Sequence, residues 1–112
     1  MSGISTHVLD TALGRPATGI PVLLERLDGG VRPLHHGETD ADGRVRALLP
    51  EGAALEAGLY RLTFETAVYL DATAGGGFYP EVSVVFRVAD GAQHHHVPLL
   101  LSPFGYSTYR GS

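Results

Sequence analysis

The sequence predicts an antiparallel β-sandwich or barrel, on three observations. Turn-forming residues break the chain at short intervals: Gly14-Arg15-Pro16, Asp28-Gly29-Gly30, Asp40-Ala41-Asp42-Gly43, Pro50-Glu51-Gly52, Gly75-Gly76-Gly77, Asp90-Gly91 and Ser102-Pro103. The runs between them alternate: Val82, Val84, Phe86 and Val88 against Ser83, Val85 and Arg87, and Tyr60, Leu62 and Phe64 against Arg61, Thr63 and Glu65. A period of two places every second side chain on one face of a strand. The size also fits, since 112 residues make a single domain that buries roughly two-thirds of the surface its unfolded chain exposes.

The expected strands are Ile4–Asp10, Val22–Leu27, Val31–His35, Val45–Leu48, Leu59–Glu65, Val82–Val88, His94–Leu101 and Tyr106–Arg110, eight in all. One segment departs from the rhythm. Thr66 is placed to cap a short helix through Ala67–Thr73, which Gly75 to Gly77 would stop. Pro98 lies inside a strand run and has no N–H for a ladder bond, which points to an edge or an irregular position there.

Composition narrows the function. The net charge is −4, from eight Lys plus Arg against twelve Asp plus Glu, and no basic block stands out. A partner tracked through its phosphates is therefore not expected, whether nucleic acid or anionic membrane. The absence of cysteine excludes disulfides, cysteine-bound zinc and thiol nucleophiles. No apolar run approaches the ~18 residues of a membrane helix, and the opening Met1–Asp10 lacks the pattern of a signal peptide. The expected setting is cytoplasmic.

The six histidines are the main chemical signal. Within the strand His94–Leu101, His94 and His96 share one face, while His95 shares the other with Val97, Leu99 and Leu101. If those apolar residues line the core, His94 and His96 point outward, to solvent or to a subunit interface. His7 lies on the face opposite Ile4 and Val8. His35-His36-Gly37 reads most simply as a solvated strand end. His7, His94 and His96 have a spacing that a three-histidine zinc site can use, and surface or interface histidines explain the same pattern. Asp40–Gly43 lacks the remaining ligands of a calcium loop and reads as a turn. None of Ser5, Ser83, Ser102, Ser107 and Ser112 sits in a Gly-x-Ser-x-Gly elbow.

Several segments taken together resemble the transthyretin-like family. They are His7-Val-Leu-Asp10 followed by Gly14-Arg-Pro-Ala17 and Gly19-Ile-Pro-Val22, then Thr39-Asp-Ala-Asp-Gly-Arg44, Gly58-Leu-Tyr-Arg-Leu-Thr-Phe64 and Phe78-Tyr-Pro-Glu81. The run from His96 to Ser112 is similar to the family's C-terminal signature almost without interruption. The resemblance spans essentially the whole chain and implies a transthyretin-like (immunoglobulin-like) sandwich of eight strands with one short helix, as one domain over residues 1–112. Of the family's two branches, hormone carriers and 5-hydroxyisourate hydrolases, the second is marked by His7, Arg44, His96 and the terminal Tyr109-Arg-Gly-Ser112. One position departs: His95 stands where the family usually has tyrosine.

The resemblance implies a hydrolase in urate breakdown that needs no metal or other cofactor. Its site residues would be His7, Arg44 and His96 for catalysis, with Tyr109 and Ser112 joining His7 and Arg44 in substrate binding. The implied partners are a small-molecule substrate and three further copies of the chain, in a homotetramer with its sites at a subunit interface. A short C-terminal tail frays unless it is held, so a neighbouring subunit is expected to pin Tyr109–Ser112. Which histidine acts as base is open at this level, and a carrier without catalysis is the alternative.

Overall fold

A computed structural model of the chain describes residues 3–50 and 52–112. Met1 and Ser2 of the opening segment, and Glu51 of the expected break at Pro50–Gly52, lie outside the described residues. Two sheets face each other. The strands are β1 (Gly3–Asp10), β2 (Arg15–Pro16), β3 (Pro21–Arg26), β4 (Arg32–Glu38), β5 (Arg44–Val45), β6 (Gly58–Phe64), β7 (Val82–Val88), β8 (His94–Ser102) and β9 (Gly105–Thr108), with helix α1 (Thr66–Thr73) between β6 and β7. One sheet runs β2-β1-β8-β9 with β5 also paired to β1, and the other runs β4-β3-β6-β7.

The transthyretin-like sandwich is thus present, with nine strand segments among the described residues instead of eight. The extra one is β2, read from sequence as a turn; Leu9↔Pro16 and Asp10↔Arg15 pair across it. The sandwich is also not wholly antiparallel. β1 and β8 pair in parallel over eight positions, from Gly3↔His94 to Asp10↔Leu101.

Alternation explains which face is buried. Ile4 and Val8 of β1 and Val97, Leu99 and Leu101 of β8 point into the core, where they meet Val22, Leu24, Tyr60, Leu62, Phe64, Val82 and Val88 of the other sheet. Buried polar groups on the inner face are all partnered among the described residues. The Thr6 hydroxyl donates to the Val97 carbonyl at 2.6 Å. Asp10 Oδ1 accepts the N–H groups of Ala12 and Leu13 at 3.0 and 2.9 Å. Its Oδ2 accepts the Tyr69 hydroxyl at 2.6 Å, which ties α1 to the end of β1.

Several boundaries differ from the sequence reading. Thr66 does not cap α1: Glu65 holds the N-cap position without a side-chain bond. The Thr66 hydroxyl instead donates to the Tyr79 carbonyl at 2.7 Å, fastening the helix to the loop that returns to β7. The helix ends at Thr73, just before Gly75–Gly77. β4 begins and ends later than expected, so His35 and His36 lie within an edge strand opposite Leu24 and Leu23. β5 covers Arg44–Val45 alone, although Leu48 beyond it is still buried and donates its N–H to the Ile4 carbonyl at 3.0 Å. β9 stops at Thr108, short of Tyr109 and Arg110. Pro98 is not on an edge strand, since β8 has β1 on one side and β9 on the other. It does mark an irregular point: the β8–β9 ladder ends at Leu99↔Thr108 and resumes only at the His96↔Gly111 bridge.

Tyr69→Phe leaves Asp10 Oδ2 buried without its donor. A stability loss of about 1–3 kcal/mol is expected, read as a lower melting temperature in calorimetry; an unchanged melting temperature would mean that the bond does not hold the helix.

Candidate active site

The residues with the chemistry sit on the outer face of the sheet that contains β1. In β1 the even-numbered side chains Ile4, Thr6, Val8 and Asp10 are buried, which turns Ser5 and His7 outward. Each is flanked by a neighbouring strand. Ser5 is level with His96 of β8, and His7 is level with Arg44 of β5. Directly opposed residues share a face and have Cβ atoms about 4.5–5.5 Å apart. Three segments far apart in sequence thereby present His7, Arg44 and His96 together.

The turn before β5 delivers Arg44 to this place. Asp40 Oδ1 accepts the N–H groups of Asp42 and Arg44 at 2.8 and 3.0 Å, and the Asp40 carbonyl accepts that of Gly43 at 2.9 Å. These backbone N–H bonds hold the Asp40 carboxyl below its usual range. Gly43 has φ of +74°, and a Cβ there would come within 2.5 Å of the Val8 carbonyl oxygen. The close approach is used: Val8 N–H donates to the Gly43 carbonyl at 2.8 Å.

Ser5 lies between two imidazoles. Its Oγ is 2.7 Å from His94 Nε2 and 2.9 Å from His96 Nδ1. This leaves Nε2 of His96 as the ring nitrogen not engaged by Ser5. Burial, followed by the electrostatic effect of Arg44 and then of the neighbouring His7 and His94 rings, lowers the His96 pKa from the ordinary 6.5, against the raising effect of a hydrogen bond to the Ser5 backbone. His96 is therefore neutral at physiological pH and able to accept a proton. A depression of about 220 Å³ lies beside it, lined by Ser5, Thr6, Arg44, Arg46, His94 and His96.

Tyr109 and Ser112 are placed differently. Tyr109 is 57% exposed and borders a separate hollow of about 230 Å³ with Val84, Phe86, His95 and His96. His96 thus borders both hollows, and Arg44 only the first. Ser112 is exposed and follows Gly111, whose N–H donates to the His96 carbonyl at 2.8 Å. The tail is held by its own chain: besides that bond, Arg110 Nη2 donates to Gln93 Oε1 at 3.1 Å. A Cβ at Gly111 would lie 2.5 Å from His96 Cδ2, so the tail backbone packs on the imidazole itself.

His95 occupies the opposite face, as alternation predicts. It is 4% exposed, and its Nδ1 lies 3.0 Å from the Gln93 carbonyl. Burial lowers its pKa. Replacement of the usual tyrosine therefore changes the inner side of β8 and leaves the outward pair in place. His7, His94 and His96 do not form a ligand trio; among the described residues no three His, Asp or Glu side chains are grouped to hold a metal ion. The residues that sequence reasoning missed are Ser5 and Arg46. As a residue type Ser5 suggests only a nucleophile, and its signal is its place two residues before His7 on the same face.

In a histidine NMR titration, His96 should titrate below 6.5, and Arg44→Gln should raise the value toward the ordinary range. An unchanged value in that variant would mean the guanidinium does not act on the ring. Gly111→Ala should displace the imidazole and cut turnover with little effect on melting temperature; equal loss of both would make the tail contact purely structural.

Comparison with known proteins bears on the fold and the family. The model of the HIUase/transthyretin family matches residues 4–111. A 5-hydroxyisourate hydrolase of Salmonella typhimurium is 48% identical over 110 residues, covering 97% of this chain and 80% of that protein. The solved 5-hydroxyisourate hydrolase of Klebsiella pneumoniae is 40% identical with a TM-score of 0.83, covering 99% of this chain and 100% of the other. The crystal structure of transthyretin from Sparus aurata is 32% identical with a TM-score of 0.88, covering 99% and 97%. With a match across nearly its full length, this chain belongs to the HIUase/transthyretin family.

Proposed function

We propose that this chain hydrolyses 5-hydroxyisourate to 2-oxo-4-hydroxy-4-carboxy-5-ureidoimidazoline in urate breakdown. The observation that carries the reading is the meeting of His7, Arg44 and His96 on one outward sheet face. A carrier that only holds a ligand has no need of a neutral imidazole beside a guanidinium. The names of the relatives support the same reading.

The reaction opens the N1–C6 amide of the substrate ring. Water is a weak nucleophile near neutral pH and needs a base beside it. His96 takes a proton from water at Nε2, because Nδ1 is engaged by Ser5. The water oxygen bonds to C6, the C6 oxygen gains negative charge, and Arg44 stabilises that charge with its donor fork. The N1–C6 bond then breaks, and the proton held by His96 passes to the departing N1. His7, level with Arg44 in the sheet, orients the water or the ring. Tyr109 and Ser112 contact the substrate from the tail side of His96.

No metal takes part in this scheme, since base and charge stabiliser are both supplied by side chains. The working form in this reading is a cytoplasmic homotetramer forming one functional domain per chain. Two features support assembly: the site lies on an open outer sheet face, and Phe104, at 81% exposure, Phe78, Val85 and Tyr106 leave apolar surface uncovered. No helix among the described residues is long and apolar enough to cross a membrane.

The test is direct. Generated from urate with urate oxidase, 5-hydroxyisourate should decay faster with the protein present, and equally fast after exhaustive chelation. His96→Asn should lower turnover by about 10²–10⁴ and Arg44→Gln by about 10²–10³, with the oligomer intact. Unchanged spontaneous decay would favour the carrier, and activity lost to chelator and restored by zinc would overturn the metal-free scheme.

A further inference from the structure

We propose that Ser5 and His94 form a positioning pair that fixes His96 as the Nδ1–H tautomer and so keeps its Nε2 lone pair free. The proposal deepens the hydrolase reading, because it gives the base a fixed protonation pattern.

The argument rests on counting protons at one oxygen. A serine hydroxyl has a single proton to donate and can accept from other donors. Here one oxygen, Ser5 Oγ, meets His94 Nε2 at 2.7 Å and His96 Nδ1 at 2.9 Å. It can donate to only one of them. If it donates to His96 Nδ1, the neutral ring must carry its proton on Nε2, and no lone pair faces water. If it donates to His94 Nε2, it accepts from His96 Nδ1–H, and Nε2 of His96 is a base. Only the second arrangement, with His96 Nδ1–H donating to Ser5, suits the reaction, and His94 Nε2 is the acceptor at hand for the Ser5 proton. His94 is exposed and can solvate its other nitrogen, whereas His96 is half-buried. The directed series is therefore His96 Nδ1–H to Ser5 Oγ, and Ser5 O–H to His94 Nε2.

The sheet makes this series rigid. Gly3, Ser5 and His7 alternate outward on β1, and the parallel register sets Gly3 level with His94 and Ser5 level with His96. A Cβ at Gly3 would lie 3.4 Å from His94 Nδ1, so the His94 ring rests over a residue that offers it room. On the other side, Gly111 packs against Cδ2 of His96 and limits rotation of that ring. Once His96 takes a proton at Nε2, its Nδ1–H still has Ser5 as acceptor, so the imidazolium forms without rearrangement. Which ring nitrogen of a histidine carries the proton is commonly decided by the partner of the other, and here that partner is a hydroxyl polarised by a second imidazole. Ser5 acts through His96.

Nitrogen-15 NMR of the resting wild-type protein reads the tautomer without any substrate. His96 should show the Nδ1–H pattern. Ser5→Ala should move it toward Nε2–H and lower kcat by about 10–100-fold, by analogy with partners that orient metal-bound histidines, with KM nearly constant. Ser5→Thr, which keeps the hydroxyl, should restore most of both. An Nε2–H tautomer in the wild type, or a tautomer unmoved in Ser5→Ala, would overturn the proposal. So would a substrate-derived mass adduct on Ser5, which would make it a nucleophile. Nδ1–H in a protein that fails to accelerate 5-hydroxyisourate decay would uphold the tautomer assignment and remove the hydrolase reading instead.

Discussion

The parallel pairing of β1 with β8 is the constraint on which the rest depends. It joins the first strand to one just over ninety residues later and sets Ser5 level with His96 and Thr6 level with Val97. The inner side of that register is sealed by Ile4, Val8, Leu99 and Leu101 and by the hydroxyl bond from Thr6 to Val97. Because side chains alternate, a slip of one residue would send Ser5 and His7 inward and expose the core set. Packing of the interior thus fixes the geometry of the exterior. The candidate site lies on the reverse of a face that hydrophobic burial has already locked.

A second consequence is electrostatic. The protein is acidic overall, at −4, yet this patch gathers Arg44 and Arg46 with His94 and His96 around one depression. Partial burial, and after it the guanidinium of Arg44, disfavour a charged His96. In the proposed mechanism the same guanidinium that adds to this effect meets negative charge on a substrate oxygen, so base and charge stabiliser are coupled there. The Asp40 turn matters for this reason, since it holds the backbone of Arg44 at the edge of β1.

Much of this was legible in the chain. Alternation placed His94 and His96 outward and His95 inward, and it separated His7 from Ile4 and Val8; all of these hold in the structure. The Asp40–Gly43 turn was visible from its residue types. The parallel sense of β1 and β8 was not, because alternation records faces and is silent on strand direction. For that reason Ser5 stayed unassigned: its role comes from a neighbour across the sheet. Thr66 has the residue type of a helix cap, but a tertiary bond to Tyr79 claimed its hydroxyl. The hold on the tail was also hidden, since it consists of a backbone bridge from Gly111 to His96 that leaves no side-chain signature.

The most direct test of the account is a crystal structure with an unreactive purine-like analogue bound. The ring should lie over the depression beside Ser5, with its carbonyl oxygens toward Arg44 and its C6 edge facing His96 Nε2. An analogue seated in the hollow between Phe86 and Tyr109, out of reach of Arg44, would contradict it.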